Sequence, residues 1–349
     1  MLSNAMIGGL LVALYVTLVC LQLNPRIALS SLPGLAGTLI ASYGLHSGAA
    51  FYVLVVMRQL VSTEVLSPGW ISFRFLVWLS AVASLVGSLL VWANLSGFRA
   101  VLDASVVRRM TGGALALTAC AGVCALLVIV HRWSGRRSSR AGAAVLGAAV
   151  MLSVAVPLTL RGPGLGRPPA ARPRPAGNVV PAAEAAPRVT LLLFEGASLD
   201  IIVPAAAAGR LPHFERLLDE GALMHLATLR PTQPSPVWTE AATGKLPTKN
   251  GIRSVATYRP FASPDRLEVL PDYCFAHALV RLGLLDQQLH TSRDLTALPL
   301  WQILGRQGVS VGVVNWPVTY PAARVPGYLV SDEVGQGAQT PVEDRKSTL

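Results

Sequence analysis

Apolar residues fall into two regimes along this chain. Between positions 6 and 160 they form five long stretches almost free of charge: Met6–Leu23, Leu35–Met57, Phe75–Leu95, Gly113–Val130 and Gly142–Leu160. Each is close to the roughly 20 helical residues that cross a bilayer core, so the pattern predicts five transmembrane helices over residues 1–160. Beyond position 187 the runs shorten and alternate. Val189–Phe194 (VTLLLF) is a continuous apolar run of strand length, as in a parallel strand buried on both faces. Pro212–Glu220 reads as a helix with proline in its first turn and Gly221 as its stop. Ala222–Leu229 reads as a second strand and Pro236–Thr243 as a helix ending at Gly244. Pro299–Gln307 and Val309–Val314 make a further helix–strand pair. Strands alternating with helices predict an α/β domain over 188–332, with a parallel sheet flanked by helices.

The stretch between the two regimes, 161–187, has seven prolines in 27 residues. It cannot bury a core and favours extended polyproline-like backbone, so it is expected to act as a semi-rigid spacer. Residues 333–349 are polar with no return to strands and are expected to be an unstructured tail.

Composition and charge sharpen this division. The chain is 52% hydrophobic and 13% charged, with a mean hydropathy of +0.51, too apolar for an ordinary soluble protein. The net charge of +11 is uneven: fourteen arginines face three acidic residues up to Pro187, whereas fifteen basic and fifteen acidic residues balance from Arg188 onward. A nucleic-acid binder needs a basic face on its folded part, so that class is excluded. The arginine-dense connection His131–Arg140 (HRWSGRRSSR) is the strongest positive-inside signal. It places the N-terminus in the cytoplasm and everything after Leu160 outside. The expected location is therefore the cell inner (plasma) membrane, multi-pass, with an extracytoplasmic C-terminal domain and membrane lipid as a partner. Arg99, Arg108, Arg109, Arg161 and Arg167 then fall on the outside, against the rule. The spans hold no internal Asp, Glu, Lys or Arg away from their edges, and His46 is their one ionisable candidate for a transport path. A satisfied packing histidine is the expectation, and the helices read as an anchor. Of four cysteines, Cys274 alone lies in the polar part, so no disulfide framework is expected there.

Four segments carry chemistry: LLLFEGAS (191–198), GRLPHFERLLDEGA (209–222), TQPSPVWTEAATGKLPTKNGI (232–252) and VGVVNWPVTYPA (311–322). In order and spacing they resemble the type I phosphodiesterase/nucleotide pyrophosphatase branch of the alkaline phosphatase superfamily. The resemblance implies an alkaline-phosphatase-like α/β fold, a phosphate-ester substrate, and two divalent metals, usually zinc. It also implies attack by a Thr or Ser alkoxide. In two-metal phosphoryl transfer one ion lowers the pKa of the nucleophile and the other stabilises the leaving oxygen. The implied metal-ligating carboxylate at the end of the first strand is Glu195, where the family usually has Asp; the extra methylene displaces its oxygen. The implied nucleophile, also a metal ligand, opens the helix after the second strand, where backbone N–H groups favour a phosphate. Thr232, in Thr-Gln-Pro, is the preferred candidate and Ser235 the alternative. Lys245 and Lys249 are given no role.

The resemblance also implies later ligands: an Asp-x-x-x-His pair, an adjacent Asp-His, and a further His. The chain has no Asp-His dipeptide, and Asp286–His290 has the first spacing without the expected preceding strand. The domain is therefore expected to be an incomplete member. Two functions follow: hydrolysis or transfer of phosphate esters outside the cytoplasm, possible only if the site is complete, or a non-catalytic binding module built on a degenerate phosphodiesterase domain. No appreciable activity is expected of the chain itself.

Overall fold

The computed structural model describes residues 2–27, 32–61, 73–134, 140–162, 164, 188–260 and 266–334. Its first half consists of α1 (Leu2–Leu23), α2 (Leu32–Val61), α3 (Phe73–Phe98), α4 (Ala104–Ser134) and α5 (Arg140–Arg161). All five are long and apolar enough to cross a membrane, and each extends the corresponding expected span at one or both ends. α1 is central and touches each of the other four. Small residues let it approach α2: a Cβ added at Gly9 would collide with the backbone of Gly48. Such close contact between small residues is how helices associate where water provides no hydrophobic drive. His46 is exposed on α2 and its Nδ1 lies 2.7 Å from the carbonyl of Ser42 on its own helix, so the ring is satisfied locally but is not packed as expected. All four cysteines are buried and free.

The end of α1 is heavily bonded. The last carbonyls of a helix lack intrahelical partners, and two side chains supply donors here. Arg161, 4% exposed, donates Nε to Leu21 O (2.9 Å) and Nη2 to Asn24 O (3.2 Å) and Ile27 O (2.6 Å). Arg161 therefore belongs to the helical half rather than to a spacer; the rest of that proline-rich stretch lies almost wholly outside the described residues, as does the 335–349 tail. Asn24, 2% exposed, donates Nδ2 to Cys20 O and to Val269 O, both at 2.7 Å. Its Oδ1 accepts from the backbone of Glu268 (2.6 Å) and Val269 (2.9 Å).

Through Asn24 the second half is fixed directly to the helix ends. Asn94 on α3 makes the same kind of paired contact with Asp272, accepting from its N–H at 2.7 Å and donating to its carbonyl at 3.1 Å. Arg253, buried at 2%, reaches Asp103 between α3 and α4 at 3.0 Å, and Arg26 reaches Glu268 at 2.7 Å. The apolar core continues across this junction, joining Val16, Cys20, Leu35 and Leu39 to Tyr258, Leu267, Leu270, Cys274 and Leu279.

The remaining elements are α6 (Leu199–Ala207), α7 (Pro212–Glu220), α8 (Pro234–Thr243), α9 (Pro247–Asn250), β1 (Ala256–Pro260), α10 (Ala276–Arg281), β2 (Leu285–Leu289), α11 (Leu300–Arg306), β3 (Val311–Trp316) and β4 (Gly327–Ser331). β3 and β4 pair in parallel, whereas β1 and β2 form a separate antiparallel pair. The expected parallel sheet is thus present as two short strands. The expected helices at 212–220, 236–243 and 299–307 are found within two residues, and the strand at 309–314 falls at 311–316.

The expected strands Val189–Phe194 and Ala222–Leu229 are corrected: both are extended backbone without strand pairing. Val189 is 85% exposed, Leu192 71% and Leu226 83%. A continuous apolar run becomes a buried strand only when neighbours cover both faces and both edges, and among the described residues none does.

Replacing Asn24 with alanine removes four hydrogen bonds and leaves the N–H groups of Glu268 and Val269 and the Val269 carbonyl without this partner, while Cys20 O keeps the residue-24 N–H. The docked segment should loosen by about 3 kcal/mol. Amide exchange across 266–274 in a detergent-solubilised chain should accelerate by about two orders of magnitude while α3 and α4 keep their protection.

Candidate active site

Glu195 follows the exposed apolar run on a turn completed by Gly196, whose φ of +76° suits glycine. Ser198 then opens α6, its hydroxyl accepting from the Asp200 N–H at 3.2 Å. Among the described residues the one ring contact tying down this region is Phe194 against Phe214 of α7, 6.2 Å between centroids. The Glu195 carboxylate is exposed, so water solvates it.

Thr232 sits two residues before α8, exposed, and its hydroxyl donates to Leu229 O at 3.0 Å. That bond commits the hydroxyl proton to the turn's own backbone. Gln233 is the N-cap and Ser235 lies in the first turn, half-buried. The expected phosphate-binding helix start is weaker than an ordinary one. Pro234 and Pro236 contribute no N–H, and the Val237 N–H already bonds to Gln233 O at 3.2 Å. Ser235 is left as the one amide donor among the first three helical positions.

Tryptophans hold α8 in place. Trp316 at the end of β3 donates Nε1 to Trp238 O at 3.1 Å. Its ring meets Trp301 of α11 edge-on at 5.4 Å and Trp238 at 6.4 Å. Ala242, Trp301 and Val313 form the buried centre of this small core. The loop after β3 returns to the sheet through Asp332, which the motif reading did not single out. Its carboxylate accepts from the N–H of Val318 (2.8 Å) and Thr319 (3.2 Å) and from the Thr319 hydroxyl (3.1 Å). The loop needs such an anchor because Asn315 and Val318 both adopt positive φ, +55° and +63°, an outlier for a β-branched residue. The signal available in sequence was an acidic residue just past a strand-like YLVS.

The Asp286–His290 spacing does not make a pair. Asp286 is exposed on β2 and takes the amide of Gln288 at 3.1 Å. His290 instead approaches Asp294, Nδ1 to Oδ2 at 3.8 Å. With His290 beside it, and the Thr291 N–H (2.8 Å) and hydroxyl (3.0 Å) bonded to it, the Asp294 carboxyl is held down to about 2.

Metal binding can now be tested against these residues. Among the described residues no three His, Cys, Asp or Glu side chains converge into a group able to hold a metal ion. Glu195, Thr232 and Ser235 are not joined by any bond described here. The described residues therefore do not fit a two-metal centre, and no catalytic step is drawn through one.

Residues 189–349 match the family model of type I phosphodiesterase / nucleotide pyrophosphatase. The segment-level resemblance seen in the four motifs is thus shown for this part of the chain. No curated protein and no solved structure matches the chain.

Two outcomes follow from the geometry. Trp301→Ala should cost about 3 kcal/mol, because the buried ring leaves a cavity between α8, α11 and β3; near-ultraviolet circular dichroism during denaturation would measure it. Asp294→Asn should remove a stabilising effect that is fully present above the ordinary carboxylate pKa near 3.8 and disappears as pH falls through about 2. Wild type and variant should therefore converge in stability across pH 4 to 2 and differ at pH 6.

Proposed function

We propose that the chain is a membrane-held protein of the phosphodiesterase and nucleotide pyrophosphatase type, directed at phosphate esters on the non-cytoplasmic face of the inner membrane. Thr232 is the hydroxyl assigned to phosphorus attack and Ser235 its neighbour on α8. The observation that carries this reading is the family match over 189–349 on a segment bonded to one end of helices able to cross a membrane. The helix end that receives it is opposite the arginine-dense 131–140 connection, which agrees with an outward-facing domain under the positive-inside rule.

A second reading is favoured by a specific observation. The run leading into Glu195 is exposed and unpaired, so the carboxylate that should ligate a metal is not held by a sheet. In that reading the segment is a non-catalytic binding module.

One assay separates the two. In the non-catalytic reading, the purified 349-residue chain in nanodiscs, with zinc and bis(4-nitrophenyl) phosphate, hydrolyses no faster than a protein-free control. Zinc-dependent turnover that Thr232→Ala abolishes and Ser235→Ala spares would establish the catalytic reading. Topology is checked separately. A protease-cleavable tag inserted between Ser134 and Arg140 should be cut only from the cytoplasmic side of spheroplasts, and one inserted after Gly221 only from outside.

A further inference from the structure

The turn joining the docked segment to α10 has an unusual conformation. Tyr273 and Phe275 both take positive φ, +63° and +58°, a region that bulky side chains rarely occupy. The result is a sharp alternation: Cys274 points inward at 7% exposure, while Tyr273 is 74% exposed and Phe275 86%. Inside the protein the Cys274 thiol meets the Tyr43 hydroxyl of α2 at 3.8 Å and packs in the same core as Leu39 and Val16. Among the described residues nothing covers the two outward rings.

Their depth indicates what does. Asp272 bonds to Asn94, seven residues inside the end of the span Leu76–Val101, about 10 Å along a helix rising 1.5 Å per residue. Cys274 meets the hydroxyl of Tyr43, ten residues inside the span Pro33–Met57; helical side chains tilt toward the helix N-terminus, so the thiol lies nearer that end of α2 than the Tyr43 backbone does. The turn therefore lies beside the helices rather than above them. Trp92, two residues before Asn94, is partly exposed on the same helix and donates its indole N–H to Thr118 at 3.0 Å. Tyrosine and tryptophan are enriched at the boundary between headgroups and acyl chains. Leu282, 61% exposed just after α10, extends the apolar edge.

We propose that Tyr273 and Phe275 form an aromatic hook that inserts into the lipid headgroup–acyl boundary, making lipid a structural partner of the outer segment as well as of the helices. The αL geometry turns both rings to the lipid while Cys274 stays locked between α1 and α2. Because it depends only on the docking contacts and the spans, the hook is independent of any catalytic reading.

The test uses the full chain in nanodiscs of phosphatidylcholine and phosphatidylglycerol, with a thiol-reactive nitroxide at Phe275→Cys, at Tyr273→Cys in a second variant, and at Glu220→Cys on exposed α7. The native cysteines are buried, and mock-labelled wild type gives the background. Electron paramagnetic resonance should show labels at 275 and 273 colliding more with oxygen than with a water-soluble nickel chelate, and the label at 220 the reverse. Chelate accessibility at 273 and 275 equal to that at 220 would overturn the proposal. So would an immobile signal shielded from both reagents, which would place protein, a second copy included, over the hook. If Phe275→Cys fails to fold, Tyr273→Cys decides alone.

Discussion

The satisfaction of backbone groups at the end of α1 is the constraint on which the rest of the structure depends. A helix that leaves a bilayer exposes its last carbonyls where water is scarce, and an unpaired buried carbonyl is costly. Here Arg161 returns from the end of α5 to bond three carbonyls. Asn24 then extends the helix end by presenting a peptide-like amide to Glu268 and Val269. A side-chain amide has the same donor and acceptor as a peptide bond, so the docked segment pairs with α1 much as one strand pairs with another. Asn94 on α3 repeats this with Asp272. The docked segment is thus fitted to the helix ends by geometry, with the Arg26–Glu268 and Arg253–Asp103 ion pairs at its margin.

That fitting divides the second half of the chain by how its apolar surface is buried. Ala256, Tyr258, Leu267, Leu270, Cys274 and Leu285 share a core with α1 and α2. The part with α8 and Asp332 is organised instead around Trp238, Trp301 and Trp316 and one parallel strand pair, whereas the Glu195 turn rests on Phe194 against Phe214. Its apolar runs at 189–194 and 222–228 face solvent.

The long helices were legible in sequence because a span twenty residues long overrides local detail, and α7 and α8 because proline and glycine punctuate them. The docking was not legible. Asn24 and Asn94 are ordinary polar residues at apolar boundaries, and nothing in their spacing indicates partners 245 and 178 positions away. The two missing strands show the reverse failure. VTLLLF has the composition of a buried strand, but composition records what a segment can do with neighbours and not whether it has them. Ser235 and Thr232 were located near the start of α8 by motif. The loss of two amide donors to Pro234 and Pro236 was readable there too, once the helix start was known to fall at Pro234.

Strand pairing and metal geometry are therefore one problem in this protein. A carboxylate at a strand end serves as a ligand because the sheet fixes its backbone, and a metal site tolerates only about 0.2 Å of error. Glu195 has one methylene more than an Asp, so as a ligand it would need its Cα held farther back than Asp does. Its Cα instead rides on a solvent-facing turn anchored through one aromatic contact, Phe194 with Phe214. Substituting Asp at 195 would correct the length of the side chain without correcting its support. Only neighbours that pair with 189–194 would do both, so the order of the sheet, ahead of the identity of any single ligand, governs whether this segment can perform the chemistry of its family.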